Sequence, residues 1–303
     1  MTAAYKLIIS CLFMLTSLAG ITAPQIVKYH QHSQDINNPV RQYYAKLLEI
    51  ALTETVEEYG DFQLIPRMFT SSQQRSLQLL QDTNFIDVHW TMTAPEREAQ
   101  LTAIYIPLLK GLMGYRVLLI RKETTEKVKK ITTLAELKSL SFGQGIGWPD
   151  SRILKANNLN VSLANTEQLH EMLVKGRFDA FPRAVTEAWR ELSYDTSLTV
   201  DCCLLLQYIS PVYFFVKNNN SLLAERLTLG LQRALNNGKF DELFFKYRAP
   251  KAMFELVNFE QRKRIYLQNP ALSDKTKKLL SQEELWFFPE DIQNLMKNNQ
   301  PNP

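Results

Sequence analysis

The sequence has few of the residues that build metal centres and disulfide frameworks. Only three cysteines occur in 303 residues, and two of them, Cys202 and Cys203, are adjacent. The four histidines are scattered and lack the spacing of metal ligands: His30, His32, His89 and His170. We therefore expect neither a metal site nor a disulfide network, and the fold must be held by packed hydrophobic cores.

The adjacent cysteines allow two interpretations. They lie in an apolar stretch that predicts one buried strand over residues 198–207. A disulfide between neighbouring residues requires a distorted peptide, whereas two thiols fit a strand as small apolar side chains. We favour the thiols, with a bond between Cys202 and Cys203 as the alternative.

The chain also lacks a strong excess of either charge. Lysine and arginine number 35 and aspartate and glutamate 31, which gives a net charge of +4 spread along the sequence. A nucleic-acid-binding protein would carry a basic stripe, so no nucleic acid partner is expected. The GxSxG segment and the cysteine–histidine pair of covalent catalysis are missing too. We predict that the protein is not an enzyme and needs no cofactor.

Long hydrophobic runs are absent except near the N-terminus. Lys6 is followed by an apolar run over residues 7–18, and small residues then lead to Pro24. The run is too short to span a bilayer with ease, and its basic start and small-residue exit are typical of a cleaved secretory signal. We predict a signal peptide over residues 1–23 and a periplasmic mature protein. An uncleaved anchor or a buried first helix is the alternative.

Strand and helix patterns alternate through the rest of the chain. Strands separated by amphipathic segments are predicted first at residues 25–30, 62–65 and 85–90. The pattern restarts after Gly114 with the apolar strand 115–120 and breaks again at Pro211. This alternation predicts an α/β protein whose sheets are mostly parallel and flanked by helices.

The restart predicts two lobes. We assign residues 24–112 and 213–303 to a discontinuous first lobe and residues 113–212 to the second. Two crossings between the lobes would make a two-strand hinge, and the cleft between them is where such proteins hold a ligand.

Four segments carry a resemblance to a known family. Residues 93–97 (TAPER) are similar to a threonine–acidic–arginine segment, and residues 142–147 (FGQGIG) to a glycine-bearing turn of the second lobe. Residues 173–183 (LVKGRFDAFPR) resemble a helix, a glycine and a strand that ends in the cleft, and residues 222–240 a late helix with a glycine turn. Together they resemble the extracellular solute-binding proteins of family 3, the type II periplasmic binding proteins that serve amino-acid importers.

The resemblance implies a two-lobed fold that closes on a small-molecule solute, as a monomer, for a membrane permease. It also implies that Arg97 grips a ligand carboxylate. Residues 98–102 (EAQLT) depart from the family pattern, and Arg183 and Ala184 occupy the corner where the family has an acidic residue. We therefore expect an anionic or zwitterionic, amino-acid-like solute. A sensory module with a membrane sensor as partner, or a dehydratase-like enzyme, is the alternative on the same fold.

Two arginines are the leading candidates for ligand contact. Arg97 offers a planar fork to a carboxylate, or else pairs at the surface with Glu96 or Glu98. Arg183 follows the end of a predicted strand, where open α/β sheets bind ligands, or else pairs with Glu187 one helical turn on. With both arginines facing the cleft, the pocket would favour an anion.

The other candidate ligand-binding residues lie beside turns and strand ends: Thr93, Trp90, Gly143, Gly145, Gly147 and Trp148. A glycine turn that opens a helix can point free backbone amides at an anion. The tryptophans could form flat apolar walls, and packing in the core is the alternative for both.

Overall fold

The computed structural model describes residues 23–31, 42–192, 195–247 and 251–288. Positions 1–22 of the predicted signal peptide lie outside these ranges, as does His32. Among the helices within them, none combines the length and the apolar character needed to cross a membrane.

The strands and helices alternate along most of the chain. The strands are β1 (Gln25–Gln31), β2 (Phe62–Met68), β3 (Val88–Met92), β4 (Leu101–Ile104), β5 (Tyr115–Arg121), β6 (Ser141–Gly145), β7 (Asn160–Ala164), β8 (Ala180–Ala184), β9 (Leu198–Val200), β10 (Leu204–Gln207), β11 (Val212–Lys217) and β12 (Lys263–Tyr266). The helices are α1 (Tyr43–Thr53), α2 (Val56–Tyr59), α3 (Gln73–Asp82), α4 (Pro95–Gln100), α5 (Thr125–Lys129), α6 (Leu134–Leu137), α7 (Asp150–Ala156), α8 (Thr166–Val174), α9 (Ala188–Glu191), α10 (Ser221–Asn236), α11 (Lys239–Tyr247), α12 (Lys251–Val257) and α13 (Asp274–Leu279).

The strands form two sheets, which define two lobes. The first sheet has the order β2-β1-β3-β11-β4, and the second the order β12-β10-β5-β8-β6-β7 with β9 also paired to β5. Helices α1, α3, α4, α10 and α11 contact one another or the first sheet, and α7, α8 and α9 contact the second. We call these bodies the first and the second lobe. The two-lobed α/β architecture is the one that the sequence predicts.

Each sheet has a largely apolar, buried strand near its centre. Strand β11 (VYFFVK) lies between β3 and β4 and runs antiparallel to both, while β1 runs parallel to β2 and β3. Strand β5 (YRVLLIR) lies between β10 and β8 and is buried over all but its last residue. A strand covered on both faces favours such a continuous apolar run over an alternating one.

The chain crosses between the lobes along two adjacent segments. The backbone N–H of Tyr208 donates to the carbonyl of Gly114 at 3.1 Å. A Cβ at Gly114 would lie 1.8 Å from the Tyr208 carbonyl oxygen, so only glycine permits this approach. The two crossings therefore lie in direct backbone contact.

Two predictions about the fold were wrong. Residues 213–303 were assigned to the first lobe, but β12 pairs with β10 at the edge of the second sheet. The single strand predicted at 198–207 is two strands, and Cys202 and Cys203 form a disulfide between them. The break has a polar cause: Asp201 accepts the backbone N–H of Cys203 at 2.8 Å and of Leu204 at 2.7 Å.

Candidate functional site

A cavity of about 440 Å³ lies between the lobes. This volume is within the range of small-molecule sites in proteins. Its walls come from both lobes and include His30, Tyr44, Gln73, His89, Trp90, Arg116, Trp148, Asp150, Asn165, Glu167, Arg183 and Glu187. Among the sequence-predicted candidates, Trp90, Trp148 and Arg183 line the cavity.

Aromatic rings line the cavity from both lobes. Trp90 stacks on Tyr44 with ring centroids 5.2 Å apart, and both side chains remain partly exposed. From the second lobe, Trp148 lies under the guanidinium of Arg183, which is 5.2 Å from the ring centroid. These half-buried faces can contact an apolar or planar part of a ligand.

Arg97 lies at the meeting of the lobes, but its fork is already bonded to the protein. Nη1 donates to Thr91 Oγ1 at 2.7 Å and to the Met92 carbonyl at 2.6 Å. Nη2 donates to Gln73 Oε1 at 2.6 Å and to the Gly147 carbonyl of the second lobe at 3.1 Å. Burial lowers the pKa of Arg97 to about 10, although nearby Glu96 opposes the shift. All four terminal N–H groups are thus used in this arrangement.

The neighbours of Arg97 on α4 have their own partners. Glu96 forms an ion pair with Arg152 of α7 at 2.5 Å, which makes a second contact between the lobes. Thr93 donates its hydroxyl to Glu98, and the Tyr105 hydroxyl donates to the same carboxylate at 2.9 Å. The Thr93 side chain is therefore engaged within the first lobe.

Arg183 lies within β8, not after its end, and two carboxylates neutralise it. Its Nη2 is 2.7 Å from Glu191 Oε1 and 3.0 Å from Glu187 Oε2. Burial disfavours the charged form of Arg183, but the carboxylates of Glu187 and Glu191 outweigh this effect and raise the pKa of Arg183. Burial also acts to raise the pKa of Glu191, yet Arg183 and then His170 lower it to about 2. The alternative pairing with Glu187 is thus present.

Arg116 is a second cavity arginine, which the sequence reasoning missed. Its side chain is almost fully buried, and Nη2 is 2.6 Å from Asp150 Oδ1. The Tyr208 hydroxyl donates to the same carboxylate oxygen at 2.5 Å. Burial disfavours the charged form of Arg116, but Asp150 more than compensates and raises the pKa. A charged residue inside the apolar run YRVLLI was the available signal.

The predicted glycine turn is mostly strand. Gly143 and Gly145 belong to β6, where a Cβ would lie 2.2 Å from the Phe178 ring and 2.4 Å from the Trp148 ring. Gly147 has a φ of 77°, a left-handed conformation that favours glycine. These glycines serve close packing and a turn, which explains their positions without a ligand.

The amides expected to hold an anion are largely bonded elsewhere. The N–H of Ile146 donates to the Ala164 carbonyl, and that of Trp148 to the Gly145 carbonyl. The first residue of α7 is Asp150, whose carboxylate places a negative charge at the helix start. The arrangement suits the Arg116 guanidinium better than a bound anion.

Two histidines contribute to the first-lobe wall and were also missed. Burial lowers the pKa of His89 to about 3, with smaller effects from His30 and Arg97, so the ring is neutral. The Nε2 atom of His30 is 3.1 Å from the Phe69 carbonyl, and Nδ1 is 3.3 Å from Ser76 Oγ. The wall is thus polar around these rings, and the His89 ring is neutral.

The comparisons with known proteins give a shared fold. No family model matches the chain, and no curated protein matches it. An amino-acid ABC transporter substrate-binding protein from Streptococcus pneumoniae, bound to L-arginine, is 16% identical over 73% of this chain and 93% of that chain, with a TM-score of 0.54. The GluR0 ligand-binding core from Nostoc punctiforme, in complex with L-glutamate, is 15% identical over 75% of this chain and 100% of that chain, with a TM-score of 0.53.

A third neighbour is an ancestral amino-acid-binding protein described as a precursor of cyclohexadienyl dehydratase. It is 15% identical over 73% of this chain and 94% of that chain, with a TM-score of 0.52. At these identities the likeness is one of fold. The chain therefore has the two-lobed fold of amino-acid-binding proteins, and the resemblance predicted from the sequence is confirmed at that level.

Proposed function

We propose that the protein is a periplasmic solute-binding protein that closes its two lobes on a small molecule in the interlobe cavity. The observation that carries the proposal is the cavity itself, which has an aromatic face from each lobe and enough volume for an amino-acid-sized ligand. An ABC-type permease is the proposed partner and a membrane sensor the alternative, with the protein acting as a monomer. The predicted signal peptide supports the compartment.

The charges around the cavity favour a zwitterionic or neutral solute over a simple anion. Arg183 and Arg116 are matched by Glu191, Glu187 and Asp150. An arginine whose donors are shared with a carboxylate attracts a further anion less than a bare one does. We therefore propose Trp90, Trp148 and Arg183 as ligand contacts, with the remaining candidates as supports.

A ligand screen tests this function. The mature chain from Pro24 is heated with amino acids, dicarboxylates and short peptides, and a true ligand raises the unfolding temperature by mass action. Calorimetry with the identified compound then compares wild type with Trp90→Ala, which should bind about tenfold more weakly because one aromatic face is lost.

The matched control is Phe245→Ala, an exposed aromatic residue of α11 that does not line the cavity. It should keep wild-type affinity. Equal affinity of Trp90→Ala and wild type would place the ligand elsewhere, and a screen without any stabilising compound would count against solute binding.

A further inference from the structure

Residues 251–288, which we call the C-terminal strap, follow the last helix of the first lobe and contact both lobes in turn. The strap contains α12, β12 and α13 and ends at Phe287 and Phe288. Its contacts run from the second lobe, across the hinge, to the first.

The strap joins the second lobe through its strand. The parallel pairing of β12 with β10 includes the N–H of Lys263 donating to the Cys203 carbonyl at 2.7 Å. The N–H of Leu267 donates to the Gln207 carbonyl at 2.8 Å. These main-chain bonds fix β12 as an integral edge of the second sheet.

The strap then contacts the hinge. The Asn269 side chain is buried, and its Nδ2 donates to the carbonyl of Ile209 at 2.8 Å. Ile209 lies between β10 and β11, on the segment that returns the chain to the first lobe. A buried side-chain donor is therefore bonded to a hinge carbonyl.

The strap next joins the first lobe. Thr276 of α13 is fully buried, with its hydroxyl oxygen 3.2 Å from the Tyr213 hydroxyl and 3.4 Å from Glu98 Oε1. Further on, the N–H of Phe287 donates to the Lys110 carbonyl at 2.9 Å. The strap thus reaches β11 and the helix α4 that carries the cross-lobe contacts of Glu96 and Arg97.

Two consecutive aromatic residues end the strap, and each contacts a different lobe. Phe287 packs on Phe244 of α11 in the first lobe, with ring centroids 5.5 Å apart. Phe288 packs on Tyr115, the first residue of β5 in the second lobe, at 5.3 Å. Their own rings are 4.5 Å apart, so one aromatic cluster spans the two lobes.

We propose that the C-terminal strap is a non-covalent clasp that holds the two lobes together beside the hinge. Different parts of the strap are bonded to the two lobes, and the lobes must rotate against each other when the cleft opens. Opening therefore has to break or slide contacts of the strap, and the strap shifts the population towards the closed arrangement. This goes beyond the proposed function, because it concerns the lobes with or without a ligand.

The test measures the distance between the lobes in the full mature chain. Spin labels are placed at exposed Arg75 of α3 and Gln168 of α8, through a keto amino acid so that the disulfide is untouched. For wild type, pulsed electron paramagnetic resonance should give mainly the shorter of two distances between the labels, the one that corresponds to the closed arrangement of the lobes. Phe288→Ala should raise the long-distance population about threefold, as expected when one aromatic contact across a two-state equilibrium is lost.

Phe85→Ala is the control, because this exposed aromatic residue packs on Phe69 of the first lobe, outside the strap. It should leave the distance distribution as in wild type. Asn269→Ala removes the hinge bond together with the bond that Asn269 Oδ1 accepts from the N–H of Ala271 within the strap. It is the second variant and decides the matter if circular dichroism finds Phe288→Ala unfolded. Wild-type distributions in the folded strap variants would overturn the proposal.

Discussion

At the scale of single residues, the chemistry of the cleft depends on which hydrogen-bond acceptors its arginines contact. The sequence was sufficient to indicate Arg97 and Arg183 as residues close to the cleft, although Arg183 lies within β8 and not after a strand end. It was not sufficient to predict their partners, since Gln73, Gly147 and Glu191 come from other elements. The structural role of Arg97 follows from those contacts.

Replacing Arg97 by methionine should destabilise the protein by about 3 kcal/mol, because buried acceptors of charge-assisted hydrogen bonds lose their donor. Urea unfolding measures this difference. Arg152→Met is the control: it removes the other cross-lobe arginine, whose ion pair is half-exposed, and should cost no more than about 1 kcal/mol. Equal losses for the two variants would contradict the structural role of Arg97.

The buried histidine predicts an acid-sensitive fold. The pKa of His89 falls from 6.5 to about 3 on burial. Between these values the unfolded chain binds a proton that the folded chain does not, so stability decreases as the pH falls, by up to about 1.4 kcal/mol per unit. His89→Gln should flatten this part of the curve in urea unfolding between about pH 7 and 4. Parallel curves for the variant and wild type would exclude His89 as the cause.

At the scale of elements, hydrophobic pattern predicted where strands lie better than where they end. Strands β5 and β11 follow from their apolar runs. The break between β9 and β10 does not, because it depends on the Asp201 carboxylate, which also accepts the N–H of Leu118 at 2.9 Å from the neighbouring strand. One buried acidic residue in an apolar run was the only sign of this turn.

Asp201→Asn should destabilise the second lobe by about 2 kcal/mol. Both carboxylate oxygens of Asp201 accept backbone N–H groups, whereas a side-chain amide has only one acceptor oxygen. In the variant, a backbone N–H group would therefore face the side-chain NH₂ group instead of an acceptor. Urea unfolding of the oxidised protein measures the loss. Asp195→Asn, which changes a partly exposed loop carboxylate, is the control and should stay near wild type. Wild-type stability of Asp201→Asn would show that the turn does not need both acceptors.

At the scale of the whole molecule, the alternation of strands and helices was enough to predict two lobes. The return of the chain to the second lobe through β12 was not predictable, because KRIY is a short edge strand without a distinctive pattern. The position of β12 depends on its pairing with β10. Between these two strands the chain passes through the first lobe and returns.

Export is predicted for the full chain. Periplasmic material should have a new N-terminus near Gly20 or Pro24 by mass spectrometry, because the apolar run has the length of a signal peptide. Leu15→Arg interrupts the run and should keep the precursor inside the cell. A full-length species held in the membrane would contradict cleavage.

The position of β11 has a consequence for the order of biosynthesis. This strand lies between β3 and β4 but is made only after most of the second lobe. A nascent chain that ends before it exposes the unpaired edges of both strands, which are templates for aggregation. Most of the second lobe, by contrast, is continuous in sequence and lacks only its edge strand β12. Synthesis from the N-terminus therefore favours a second lobe that folds early and a first lobe that needs protection until the chain is nearly complete.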